Sequence, residues 1–224
     1  STASKRRLGI AVTKANANIV YLIAVGTDNG MQALYKSSDK GTNFRTMLLG
    51  TTYNPLGTST NGRSAGGQGW YDLGIESSMT DSNTVFIGGV NIFKSVNGGS
   101  TFTPVAYWSY SPTIPWVHAD IHFLGRNPLN NELFIGSDGG VDYTLNEGQT
   151  YNNINNGLAI SQFYNLGVTQ LSKTNFITGA QDNGTSSGSS SSSWTAELAG
   201  DGMECEWSSK NIDIMVGCAQ YGAL

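Results

Sequence analysis

The sequence predicts an all-β fold, a β-propeller of four-stranded antiparallel blades, and three observations carry that prediction. An eight-residue phrase, Ser37-Ser38-Asp39-Lys40-Gly41-Thr42-Asn43-Phe44, returns in altered form from Ser95 to Phe102 and from Thr144 to Tyr151. In each copy a Ser or Thr opens the phrase, Asp or Asn stands two places on, Gly four and an aromatic seven. A second frame, polar-Leu-Gly-β-branched, occupies Arg7 to Ile10, Asp72 to Ile75 and Asn165 to Val168, with looser copies at Asp120 to Phe123 and Glu204 to Trp207. The two frames alternate over about 50 residues, the length of four short strands and therefore of one blade.

Each element follows in order. The polar-Leu-Gly frame opens a first strand. After a turn rich in Asn, Asp, Ser or Lys comes a more apolar second strand: Val20 to Val25, Val85 to Gly89, Leu133 to Ser137, Phe176 to Ala180 and Ile214 to Cys218. A third strand, such as Ala33 to Ser37, enters the eight-residue phrase, and a fourth, Asn43 to Leu48, leaves it. Within the phrase the Asp or Asn side chain is expected to bond backbone two residues ahead, Gly to accept positive φ, and the closing aromatic to anchor the returning strand. This gives units at about 5–50, 68–108, 116–156 and 160–199, and the first part of a fifth at 200–224. The run from Thr185 to Ser193 is almost wholly Ser and Gly, lacks apolar groups to bury and reads as a mobile loop, with Trp194 resuming a strand. The last unit stops at Leu224 after two strands, so the sequence reads as an incomplete portion of a larger propeller. Its remaining blades would belong to the parent protein or to another chain, because an open array exposes an apolar blade face. A closed four-bladed ring carrying a dangling fifth unit is the alternative.

Composition excludes some partners. Twelve basic residues against 16 acidic ones give a net charge of −4 over 224 residues, with no basic field to hold a phosphate backbone, so nucleic acid is not an expected partner. Apolar runs such as Ile19 to Val25 and Ile212 to Val216 fall far short of the roughly 20 residues of a membrane helix, and no membrane span is expected. Lys5, Arg6 and Arg7 lead straight into a strand pattern rather than a signal sequence. Little Lys beside much Asn, Ser, Thr and Gly fits an extracellular or cell-surface protein. Cys205 and Cys218 flank a turn near Ser209 to Ile212 and read either as a cross-strand disulfide or as two small buried thiols.

The three phrases resemble the Asp-box, or BNR repeat, of sialidase-like propellers, with Asp39 in the full motif and Asn97 and Asn146 replacing the usual Asp. Gly69-Trp70-Tyr71-Asp72, the run Val117 to His122, the run Gly136 to Gly140, Gln181-Asp182-Asn183-Gly184 and Gly200-Asp201-Gly202 resemble large secreted glycosyl-hydrolase-like proteins of the Bacteroidota. That neighbourhood includes xyloglucanase-type glycosidases and the sortilin (VPS10) ligand-binding propellers. The resemblance spans nearly the whole chain and implies a secreted or surface propeller. It implies no single activity, because the Asp-box is a folding device shared by enzymes and non-enzymes.

First strands are innermost in a propeller, so Arg7, Asp72, Asp120, Asn165 and Glu204 are expected at similar depth around the axis. Converging Asp, Glu, Arg and Asn suit a hydroxyl-rich sugar, or they satisfy one another around a wet channel. Glycoside hydrolysis needs two carboxyls at about 5–5.5 Å for retention or about 6.5–9.5 Å for inversion. Asp72, Asp120 and Glu204 are the catalytic candidates, and Asp138, Asp182 and Asp201 widen the choice. Sialidases clamp a carboxylate with three arginines. Of Arg6, Arg7, Arg45, Arg63 and Arg126 here, Arg45 and Arg126 lie by turns, and the family's Arg-Ile-Pro motif is absent.

Ligand-binding candidates are Arg7, Trp70, Tyr71, Trp108, Trp116, His118, Asn165, Asp182 and Asp201. Trp70, Tyr71, Trp108, Tyr110 and Trp116 would stack on sugar or peptide, or else pack between blades. The segment from Tyr107 to Trp116, stiffened by Pro112 and Pro115, is the leading external binding loop. His118, Asp120 and His122, if they lie on one strand, share a face but hold the two imidazoles about 13 Å apart, too far for one ion. His118, Asp120, His122 and Asp138 are therefore weak metal candidates. No cofactor is expected beyond a structural calcium at Asp138, or at Asp182 and Asp201. The sequence thus favours a recognition or scaffold module for polysaccharide or protein. A glycoside hydrolase and a purely structural component of a surface assembly are the alternatives.

Overall fold

A computed structural model describes residues 4–190 and 193–222. Ser191, Ser192 and Leu224, which fall in the expected fourth and fifth units, lie outside the described residues. The chain forms two compact units, residues 1–156 and 157–224. Among the described residues every regular element is a strand except a 3-10 turn at Gln220–Gly222. No helix is long and apolar enough to cross a membrane.

The first unit is three consecutive propeller blades. β1 (Arg7–Val12), β2 (Val20–Val25), β3 (Met31–Ser37) and β4 (Arg45–Leu49) form the first sheet, in that order. β5 (Gly74–Ser77), β6 (Val85–Gly88), β7 (Ile92–Ser95) and β8 (Thr103–Ala106) form the second. β9 (Ile121–Arg126), β10 (Leu133–Ser137), β11 (Gly140–Thr144) and β12 (Asn152–Asn153) form the third. All neighbours are antiparallel. The first strands β1, β5 and β9 pack one against the next, which makes them the inner edges of stacked blades.

The glycine of the repeated frame is where the blades approach most closely. A Cβ on Gly9 would stand 2.9 Å from Ile23 Cγ2 and 3.0 Å from Ile75 Cγ2, and one on Gly74 would stand 2.8 Å from Leu124 Cγ. Around these contacts Tyr21, Ile23, Leu34, Val85, Ile87 and Phe93 fill the space between the first two blades. Phe86, Ile92, Ile121, Leu133 and Ile135 fill the space between the next two. β6 is apolar throughout because Val85 and Ile87 face one neighbour while Phe86 faces the other.

All three eight-residue phrases form the same corner between a third and a fourth strand. The opening hydroxyl donates to the Asp or Asn oxygen: Ser37 to Asp39 at 2.7 Å, Ser95 to Asn97 at 2.9 Å and Thr144 to Asn146 at 3.0 Å. That hydroxyl also accepts the N–H of Gly41, Gly99 or Gly148. These glycines have φ of 86°, 87° and 86°, left-handed backbone that glycine adopts without strain. The expected bond two residues ahead is corrected in direction. Asp39, Asn97 and Asn146 accept from the backbone four residues ahead, at Asn43, Thr101 and Thr150, and the bond two residues ahead runs back to the opening hydroxyl. Phe102 is buried as expected, whereas Phe44 is 42% exposed.

Corners also tie blade to blade. Lys36, just before the first corner, donates to Asn83 Oδ1 at 3.0 Å in the second blade, and Lys94, just before the second, donates to the Glu147 carbonyl at 2.9 Å in the third. Arg126 makes a two-pronged pair with Glu147 at 3.1 and 2.8 Å.

The second unit holds one further blade and a hairpin. β13 (Phe163–Val168), β14 (Phe176–Ala180), β15 (Gly184–Ser190) and β16 (Ser193–Leu198) form a four-stranded sheet, and β17 (Gly202–Trp207) pairs with β18 (Met215–Ala219). Gly167 repeats the close approach, packing against Ile177 and the Cys205–Glu206 backbone. The expected mobile Ser-Gly loop is corrected: Gly184 to Ser190 is the third strand, paired with β14 on one side and β16 on the other. Ladder bonds use only backbone, and small side chains at Thr185 and Ser187 are buried there. Both cysteines are free. Cys205 pairs with Gly217, so Cys218, one residue on, points to the opposite face of the hairpin.

Candidate functional site

The long connection from Gly50 to Leu73 joins the first blade to the second at the end where the inner strands begin, and the richest polar cluster of the first unit lies there. Its last turn is tight. Tyr71 and Asp72 both donate backbone N–H to the Gln68 carbonyl, at 2.7 and 3.1 Å. This turn aims the Gln68 carboxamide inward, where Nε2 lies 3.1 Å from Asp72 Oδ2 and 2.5 Å from Asp120 Oδ1. Asp120 sits just before β9 with φ of 63°, and the next residue's N–H closes on the Gly89 carbonyl at 2.9 Å.

Asp72 is fully buried. Burial pushes its carboxyl up to about 8, against the lowering bond from Gln68 and helped by the neighbouring Asp120 charge. Its Oδ1 is a buried atom with no hydrogen-bond partner among the described residues. A protonated Asp72 donates to Asp120, and the pair is a carboxyl–carboxylate couple. Asp120 is also raised, by burial first and then by the charge of Asp138.

Outside this couple lies an aromatic rim. Arg7 Nη1 donates to the Tyr71 carbonyl at 2.6 Å, fixing the backbone that carries Trp70 and Tyr71. Tyr71 OH donates to Asp138 Oδ2 at 2.9 Å, and Asp138 Oδ1 lies 2.6 Å from His122 Nε2. The Tyr71 and His122 rings meet edge to face at 4.7 Å, and Trp70 tilts against Tyr71 at 5.5 Å. Trp70 is 58% exposed. The 107–116 loop is pinched shut by a bridge between Tyr107 and Trp116. Trp116 Nε1 donates to the Trp108 carbonyl at 2.6 Å, and Trp116 meets the His118 ring edge-on at 6.1 Å. Both tryptophans are half exposed.

The structure therefore brings together Arg7, Trp70, Tyr71, Asp72, Asp120, His122 and Asp138 in the first unit, with Trp108, Trp116 and His118 in the following loop. The single-strand reading of His118, Asp120 and His122 is corrected. β9 begins at Ile121, and the positive φ of Asp120 breaks the alternation. His122 turns to Asp138, Asp120 to Gln68 and Asp72, and the His118 ring lies over Gly139, where an added Cβ would be 2.3 Å from its Cγ.

The second unit holds the remaining candidates. Asn165 Nδ2 donates to Glu204 Oε2 at 2.6 Å, and Asp201 Oδ1 accepts the Asp182 N–H at 3.0 Å. Sequence reasoning missed Gln68, the amide that joins the two carboxyls. Its only signal is its place in the turn before Trp70.

No protein-family model and no curated protein matches this chain. Solved structures do. The GH74 enzyme of Niastella koreensis aligns at 17% identity and a TM-score of 0.48, over 94% of this chain and 33% of that one. The GH74 xyloglucanase of Xanthomonas campestris aligns at 11% identity and 0.46, over 93% and 34%. YCF48 from Cyanidioschyzon merolae aligns at 12% identity and 0.33, over 85% and 58%. The chain spans about a third of the length of the two GH74 proteins. Its own strand order, register and inter-blade glycines make it an all-β propeller segment of four-stranded antiparallel blades.

Proposed function

We propose that the chain is a secreted or cell-surface recognition module and that the rim carrying Trp70 binds polysaccharide. The observation that carries this reading is Trp70 itself, 58% exposed on a backbone held by Arg7 and beside rings fixed by Asp138. An apolar face rigidly presented beside acceptors and donors suits the face and hydroxyls of a sugar. The three corners are Asp-boxes in their folding role, at the opposite end of the blades from this rim.

The test is gel-retardation and array binding of the chain to polysaccharides, with Trp70→Ala beside the parent. An anchoring tryptophan is worth about 2 kcal/mol or more, so the variant should bind roughly thirtyfold more weakly with an unchanged melting temperature. Equal retention by both proteins, or none by the parent on any glycan, overturns the reading.

One observation favours hydrolysis instead: Asp72 and Asp120 are adjacent carboxyls sharing one amide and both raised by burial, and a carboxyl kept protonated is what a general acid needs. Burial opposes it, because Asp72 has no exposed surface from which to protonate a glycosidic oxygen and its proton is directed at Asp120. Turnover of a polysaccharide panel that Asp72→Asn abolishes would reverse this preference.

A further inference from the structure

A second, independent cavity lies on the same connection, between the β2–β3 turn, the end of β4 and residues 63–66. Its volume is about 490 Å³, and Asp28, Gln32, Asn54, Arg63 and Ser64 supply its polar lining. Asn54 builds it. Its side chain is buried, accepts the Met31 N–H at 2.8 Å and donates to the carbonyls of Ser64 and Gly66 at 2.9 and 2.6 Å. Ser59 Oγ then receives the N–H groups of Arg63 and Ser64 at 3.1 and 3.0 Å, so the segment bearing Arg63 is held before any ligand arrives. One wall is backbone at close range, since a Cβ on Gly50 would fall 1.5 Å from the Met31 carbonyl oxygen.

One feature of this cavity is not explained by the fold. Arg63, exposed at the mouth, has no acidic partner among the described residues, and Asp28 uses one oxygen on the Gly30 N–H at 3.2 Å. The cavity thus offers a guanidinium for an anion and a carboxylate oxygen for a hydroxyl donor. Its volume lies within the range of small-molecule sites.

We propose that this cavity binds an acidic sugar of the uronate class, its carboxylate on Arg63 and a hydroxyl donating to Asp28. A charged guanidinium–carboxylate contact is about twice as strong as a neutral hydrogen bond, and it selects the acid over the neutral sugar. The site does not depend on the Trp70 rim, whose ligand is met by an aromatic face.

The test is titration of the chain with glucuronate, followed by saturation-transfer NMR and calorimetry, with glucose and acetate as comparators. A ligand of this size at about 0.3 kcal/mol per heavy atom binds at about millimolar Kd. Arg63→Ala should weaken glucuronate about tenfold or more, the loss of one charge-assisted contact. Asp28→Ala, which removes the acceptor for the hydroxyl, should weaken it as well. Glucose should bind less tightly than glucuronate, and Trp70→Ala should leave glucuronate binding unchanged. Undiminished binding in Arg63→Ala, equal binding of acetate, loss of binding in Trp70→Ala, or no binding by the parent each overturns the proposal.

Discussion

Asp72 and Asp120 meet on one amide, with Gln68 Nε2 at 3.1 Å from the first and 2.5 Å from the second. Two carboxyls so placed in a buried setting keep one proton between them, and the fully buried Asp72 holds it. The arrangement is a polar lock between the connection entering the second blade and the start of the third.

That lock has a pH signature. Asp72 titrates near 3.8 in an unfolded chain and near 8 in the fold, so the folded protein carries the extra proton between those values. The contribution of this carboxyl to stability is complete below its unfolded pKa and is lost as pH rises toward about 8. Asp72→Asn, whose amide donates to Asp120 at every pH, should remove that decline. Melting temperatures of parent and variant should therefore diverge from about pH 5 to about pH 8, with the variant gaining. Parallel curves would show that Asp72 is ionised in the fold.

Asp39 behaves in the opposite sense. The backbone N–H of Asn43, then its side chain and the Ser37 hydroxyl, hold this carboxyl down at about 2. Its contribution is present above the usual carboxylate pKa of 3.8 and is lost as pH falls toward about 2. Asn97 and Asn146 make the same corner without a charge. Asp39→Asn should thus keep the corner at neutral pH and flatten the acid limb of a urea-unfolding series, while Asp39→Ala should lose stability at every pH. An acid limb as steep in Asp39→Asn as in the parent would assign it to other carboxyls.

The link from Lys36 to Asn83 should count as a blade-to-blade contact. Lys36 is buried, lies 5.3 Å over the Tyr21 ring and has its pKa lowered, by burial first. Lys36→Met keeps the stem but removes the donor, at a cost of about 1–3 kcal/mol for a hydrogen bond to a charged group. A double-mutant cycle with Asn83→Ala should return a coupling of about 0.5 kcal/mol or more. A coupling indistinguishable from zero would show that the contact adds nothing to blade-to-blade stability.

The corners and the blade period were legible because their determinants are local. Ser37, Asp39, Gly41 and Asn43 satisfy one another within one turn, so their spacing survives in the sequence three times. β15 was not legible. Thr185 to Ser190 has no apolar pattern, and only the strands on either side of it supply its partners. The rim was half legible. Trp70, Asp72 and Asp120 stand in marked motifs, but the positive φ of Asp120, which separates it from both histidines, has no sequence signal in Ala-Asp-Ile. Arg63 enters the sequence reading only among the arginines, because the 50–73 connection that carries it and Asn54 has no periodicity, and Gln32 on β3 stands in no motif.

The repeat also predicts which apolar residues matter. Leu8, Ile10 and Val12 on β1 occupy the positions that Leu73, Ile75 and Ser77 occupy one blade later. In the second blade this face is covered by the first, leaving Ile75 9% exposed, whereas Ile10 is 62% exposed. Ile75→Ala should therefore cost about 2–5 kcal/mol, as buried large-to-small changes do. Ile10→Ala at the equivalent position should stay within about 0.5 kcal/mol. Denaturant unfolding of the two variants measures both. A large loss in Ile10→Ala would mean that a partner, from a second copy or elsewhere in the chain, covers the β1 face in solution as the first blade covers the second.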